Sequence, residues 1–249
     1  MLTRGLQSAP PRRRIVRAVI VLGGLVLLIV CADSSLRANN AQQSSVQPPS
    51  PGRELVVLVD VNPHQVKVLP VELDLAERVV QELRQPGSTF TVITFGAEPP
   101  TLLKLRVSAD EAVAAIRAVR LGRSGERYLS AQLYGALSLA FDDLPNDARP
   151  KSLLVITEGN DYPRGKAFEQ AIFRAQQLQV TCSIAMVADH TFYGTKSIQR
   201  YGFFLRRLAG KTRGRYVEIG GKQREVAHAV DQLSERIREQ GGGQQNVHQ

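Results

Sequence analysis

Residues able to do chemistry gather at the ends of two apolar runs. Leu55-Val-Val-Leu-Val59 ends in Asp60, and Asn62 and His64 follow at every second position. Ser152 to Thr157 leads into Glu158, then Asn160, Asp161 and Tyr162. Asp60, His64 and Glu158 would form an oxygen–nitrogen–oxygen set suited to zinc or manganese. Magnesium suits it less, because that hard cation wants six oxygens at about 2.0–2.1 Å. Such a centre could activate water for hydrolysis, or a nucleophile held by a base could act without metal. Ser130 is a candidate for that role, yet no Gly-x-Ser-x-Gly elbow surrounds any serine. No Gly-x-x-x-x-Gly-Lys loop or Gly-x-Gly-x-x-Gly turn follows a strand, which disfavours nucleotide chemistry. The plainer reading, which we prefer, has Asp60 capping a neighbouring helix or loop and His64 solvated after Pro63.

The elements that position these residues alternate. Leu55–Val59 is a continuous β-branched run of the kind buried on both faces of a parallel sheet. Val71 to Leu83 has helical spacing, with Leu75, Val79 and Leu83 on one face, and Gln85-Pro-Gly87 stops it. Thr89–Phe95 reads as a strand and Leu102–Val107 as a shorter edge strand. Ser108 and Glu111 form a capping-box pattern ahead of Val113, Ile116 and Val119. Leu129–Phe141 is a further helix. Strand Ser152–Thr157, helix Lys166–Leu178, strand Val180–Val187, helix Ile198–Leu208, strand Arg215–Ile219 and helix Glu225–Ile237 repeat the rhythm. The fold class expected is α/β: a doubly wound, mostly parallel central sheet flanked by helices. In such folds ligands gather beyond the strand C-termini, so the loops after Val59, Leu121 and Thr157 matter most.

Taken in order and spacing, those loops resemble the von Willebrand A-type family, in particular its stand-alone secreted bacterial members, over residues 53–239. The family's Asp-x-Ser-x-Ser reads here Asp60-Val61-Asn62-Pro63-His64. Its middle loop, a Thr ahead of a Leu-Tyr-Asp-Ala helix start, corresponds to Ala131-Gln132-Leu133-Tyr134-Gly135-Ala136. Its Ile-Thr-Asp-Gly loop corresponds to Ile156-Thr157-Glu158-Gly159. Phe204 to Tyr216 is similar to the family's last helix, its Thr-Gly-Gly turn and its edge strand. The resemblance implies a Rossmann-like three-layer sandwich with a metal-ion-dependent adhesion site on the first three loops. In that site short hydroxyls and carboxylates hold a divalent cation, and an acidic group of the partner completes its shell. Here only Asp60 is unchanged. Asn62 and Glu158 are longer than the residues they replace, His64 offers nitrogen, and Ala131 offers nothing. The site residues expected are thus Asp60, Asn62, His64 and Glu158 in a degenerate metal site. Magnesium, manganese or zinc would be the ion, but none is expected to be required. Asn160, Asp161 and Tyr162 would then contact a partner directly. No catalytic residue is expected, and the module is read as non-enzymatic.

The chain's ends set its compartment. Arg12, Arg13, Arg14 and Arg17 precede an uncharged segment, Ala18–Ala32, of 15 residues, against about 20 for a membrane-crossing helix. Residues 1–38 read as a signal peptide or a single N-terminal membrane anchor, and 39–52 as a flexible linker. Residues 53–240 form the domain and 241–249 a disordered tail. Either fate of the leader puts the domain outside the cytoplasm: in the periplasm, on the cell surface or secreted. The leader holds six arginines and one aspartate, which leaves +4 of the net +9 for the rest. That is no nucleic-acid footprint. The partner expected is a protein of the cell envelope. Arg206, Arg207, Lys211, Arg213 and Arg215 form a basic cluster near the last helix and strand, read first as a solvated helix end. Cys182 lies in an apolar run and reads as a core residue.

Overall fold

The structure is a computed structural model that describes residues 52–63, 66–96, 99–121, 132–159, 166–188, 195–220 and 222–242. The chain divides after Pro48 into two units, and all of these residues belong to the second. The leader, most of the linker and Gly243 onward lie outside the described residues, as do His64, Ala131, Asn160, Asp161 and Tyr162. Among the described residues no helix is long and apolar enough to cross a membrane.

Twelve elements follow one another: β1 (Glu54–Asp60), α1 (Leu69–Glu82), β2 (Thr89–Phe95), β3 (Thr101–Val107), α2 (Ala109–Ala118), α3 (Leu133–Asp143), β4 (Lys151–Thr157), α4 (Lys166–Gln177), β5 (Val180–Val187), α5 (Thr195–Lys211), β6 (Tyr216–Ile219) and α6 (Gln223–Gly242). The strands form one sheet in the order β3-β2-β1-β4-β5-β6. All neighbours are parallel except β2 and β3, which run antiparallel. The doubly wound, mostly parallel sheet expected from the alternation is therefore the one found.

Side-chain alternation along β1 divides the core. Leu55, Val57 and Val59 face one cluster with Leu75 and Val79 of α1, Ile116 of α2 and Leu233 of α6. Val56 and Leu58 face the other, with Leu137 of α3, Ile172 of α4 and Leu208 of α5. Period-two alternation in a strand with both faces covered produces this pair of apolar layers. The helix stripes supply the opposite walls. α2 begins with the capping box the sequence encodes: the Glu111 N–H donates to Ser108 Oγ, and the Ser108 N–H donates to a Glu111 carboxylate oxygen. α6 is longer at both ends than the helix Glu225–Ile237 expected, and it carries two residues assigned to the tail, Gly241 and Gly242.

The chain order fixes where the strands reverse direction across the sheet. From β1 the chain winds outward through β2 and β3. It then returns to the other side of β1 and winds through β4, β5 and β6. The switch point lies between β1 and β4, the position at which doubly wound folds bind ligands beyond the strand C-termini. Val59 is level with Ile156 there, which brings Asp60 and Thr157 to the same end.

Candidate functional site

Asp60 closes β1 and is wholly buried. Its carboxylate is held from within the chain. One oxygen accepts the Asn62 N–H at 3.1 Å, and the other accepts the Thr157 hydroxyl at 2.8 Å. Thr157 Oγ in turn accepts the Gly159 N–H at 3.0 Å. This relay links the loop after β1 to the loop after β4 through hydrogen bonds to a charged acceptor, which are stronger than neutral ones. Gly159 has φ +81°, a left-handed conformation that glycine adopts without steric cost and that turns the chain just after Glu158. Asp60 thus caps its own loop.

Two further contacts draw neighbouring loops to this corner. The Val61 N–H donates to the Phe95 carbonyl at the end of β2, and the Gln132 N–H donates to the Gly96 carbonyl. Gly96 packs closely here: a Cβ there would stand 3.0 Å from the Asn62 nitrogen, so the loop after β1 would have to shift to admit one. The start of α3, the end of β2 and the loop after β1 therefore converge. Asn62, Thr157 and Glu158 are all buried, so the polar groups of this corner lie beneath the surface.

The structure adds a residue that sequence reasoning missed. Glu72, in the first turn of α1, is completely buried, and neither carboxylate oxygen has a hydrogen-bond partner among the described residues. Burial first, then the charges of Asp60 and Glu158, push its pKa well above the usual carboxylate range. Asp60, Glu72 and Glu158 thus share one electrostatic environment. The signal was present in the register, since Glu72 stands three residues before Leu75 and seven before Val79, on the apolar stripe. Of the expected site residues, Asp60, Asn62 and Glu158 sit at this corner. His64, Asn160, Asp161 and Tyr162 lie outside the described residues. Among the described residues no group of three His, Cys, Asp or Glu is disposed to hold a metal ion.

No protein-family model matches the chain, and no curated protein does. Solved structures do. BatB from Bacteroides thetaiotaomicron is 16% identical with a TM-score of 0.53, over 75% of this chain and 100% of that one. An aerotolerance-related membrane protein from Bacteroides fragilis is 14% identical with a TM-score of 0.54, over 76% of this chain and 100% of that one. Manganese-loaded TRAP protein from Plasmodium vivax is 16% identical with a TM-score of 0.53, over 76% and 74%. The fold is von Willebrand A-type. Within this von Willebrand A-type fold, Asp60 and Glu158 stand on the first and third loops beyond the strand C-termini, as the sequence register requires.

The basic cluster is partly neutralised. Arg206 pairs with Glu218 at 2.8 Å and Arg207 with Glu169 at 2.7 Å. Arg206 also stacks over the Tyr216 ring and Arg207 over Phe168. Half-exposed pairs of this kind add little stability. They do neutralise two of the five cations that an anionic partner would meet.

Proposed function

We propose that the chain is an exported, non-enzymatic interaction module that recognises a cell-envelope protein through the loops after β1 and β4, without a bound divalent cation. The observation that carries this reading is the internal engagement of Asp60. Both its oxygens already accept hydrogen bonds from Asn62 and Thr157, in a buried setting. A magnesium ion would need short oxygen donors with open approach. Asn62 stands where the family has a hydroxyl, and Ala131 supplies no side-chain oxygen. We take this donor set as unsuited to the ion. Asn160, Asp161 and Tyr162, next along the third loop, would then contact the partner directly. The basic, apolar leader and two bacterial neighbours, one named as a membrane protein, support a place outside the cytoplasm.

A second reading, metal-dependent adhesion or hydrolysis through Asp60, His64 and Glu158, draws on one observation. The charges of Asp60 and Glu158 help to raise the Glu72 pKa, and a cation at this corner would offset them. Calorimetric titration of the protein with magnesium, manganese and zinc, beside Asp60→Ala, separates the two. No heat from any metal is expected. Binding that vanishes in Asp60→Ala would overturn cation independence, and a hydrolytic activity lost in that variant would overturn the non-enzymatic reading. Cross-linking to envelope proteins in chelator should join a partner to the loops after β1 and β4. A partner that maps elsewhere, or leaves in chelator, would refute the recognition face.

A further inference from the structure

Among the described residues one edge of the sheet is open: β3 is the terminal strand beyond β2, and no described strand pairs with its outer side. Its sequence, Thr-Leu-Leu-Lys-Leu-Arg-Val, is exposed along almost its whole length. Leu102, Leu103 and Leu105 are 37%, 36% and 42% exposed, whereas β1 is buried throughout. A row of free N–H and C=O groups flanked by exposed leucines is a template for another strand. Charges and bulges blunt natural edges against like strands, and β3 has both: two positive charges with no negative one, and two register shifts against β2. Lys104 and Arg106 lie in the strand, and neither β3 nor the stretch from Ala115 to Arg120, the end of α2 and the two residues after it, contains an acid.

Beside the edge lies a hollow of about 330 Å³ between β3 and the C-terminal end of α2. Leu103, Ala115, Ala118 and Val119 give it an apolar floor, and Lys104 and Arg120 stand at its wall. Consecutive residues Leu103 and Lys104 both line it because the pairing of β3 with β2 shifts register there. Lys104 has no hydrogen bond or ion pair among the described residues. Glu111 lies within its field, but that carboxylate is taken by the Ser108 cap. Arg120 donates to the Arg117 and Val119 carbonyls, which holds its charge at the rim.

We propose that β3 is a second interaction surface, which accepts an extended peptide segment of alternating acidic and apolar residues as an added strand. The peptide backbone would pair with the free edge of β3. One of its apolar side chains would enter the hollow, and its carboxylates would meet Lys104 and Arg120. Charge selects this occupant over a second copy of the chain. Two β3 strands side by side would bring Lys104 and Arg106 of each together with no acid on either, and opposed like charges destabilise a strand pair. This surface is separate from the loop face at β1 and β4, so either can fail without the other.

The probe is a capped peptide, Glu-Val-Glu-Val-Glu-Val-Glu, added to the full chain. Lys-Val-Lys-Val-Lys-Val-Lys serves as the charge control, and a version of the acidic peptide with alternate N-methylated amides as the backbone control. Fluorescence anisotropy should show binding by the acidic peptide alone. Hydrogen exchange should show new protection at residues 101–107. A Lys104→Glu, Arg120→Glu variant should bind the acidic peptide at least about tenfold more weakly and gain affinity for the lysine peptide. Circular dichroism of that variant checks that it folds, and Lys104→Gln serves in its place if it does not. Absence of binding, protection elsewhere, or equal affinity for the N-methylated peptide would overturn the proposal. Concentration-dependent dimerisation that protects 101–107 without peptide would overturn it in favour of self-pairing.

Discussion

Glu72 holds a carboxyl group where the α1 stripe otherwise presents Leu75 and Val79 to the core. A buried charge without partners is expensive, so the group keeps its proton to a higher pH than a free glutamate would. In the unfolded chain it ionises near pH 4.3. Below that pH both states are protonated and Glu72 costs the fold nothing in charge. As pH rises from there through the raised native value, the unfolded state loses its proton first, and stability falls. Glu72→Gln keeps shape and polarity but cannot ionise. Relative to the parent its stability should be flat with pH below about pH 4 and should gain steadily as pH rises to neutrality, because the variant lacks the ionisation that costs the parent. Urea denaturation across pH 3.5 to 8 measures the difference, and parallel curves for the two proteins would refute the assignment. Asp60 and Glu158 were legible in the sequence because each ends or follows an unbroken apolar run at a strand C-terminus. Glu72 was not, because the stripe of α1 is marked by its apolar members Leu75, Val79 and Leu83, and an acid is not expected on it. An acid in a first helical turn is also the ordinary dipole partner.

At the scale of elements, periodicity did most of the work. Runs such as Leu55–Val59 and Val180–Val187 can satisfy two apolar layers only as central parallel strands, and they are found as β1 and β5. Boundaries were less legible. α1 starts at Leu69 because Pro70, in its first turn, fits the helix geometry and lacks only an N–H that would be unused. β3 was read as shorter than its seven residues, and its exposure was hidden: Leu102, Leu103 and Leu105 look like core residues until the sheet order puts them outermost. The start of α2 is specified by side chains at both positions of its capping box. Ser108→Ala removes its cap acceptor and frees Glu111, so it should cost about 1 kcal/mol. A thermal scan of that variant checks this, and an unchanged midpoint would mean that packing of Ala112 and Ile116 alone holds the helix.

Over the whole molecule, the two apolar layers meet along β1, β4 and β5, and the central strands should open only when the domain unfolds. Cys182 reports this directly. It lies on β5, wholly buried against the α3–α5 layer, and burial pushes its thiol up to about 12. The thiolate is the reactive form, so a native Cys182 is doubly protected, by exclusion of reagent and by the lack of ionisation. Its backbone is also tied to the end of α5: the Cys182 N–H donates to Thr212 Oγ, and the Thr212 hydroxyl lies 2.8 Å from the Leu208 carbonyl. Local fraying of β5 would therefore have to break the α5 terminus as well. In a Cys31→Ser background, modification of Cys182 by a neutral disulfide reagent should proceed at the rate set by global unfolding, and it should accelerate with urea along the full denaturation slope. Modification with a shallow urea dependence would mean that β5 and α5 open as a unit of their own. The sheet would then have a weak side at β5–β6, opposite the β3 edge.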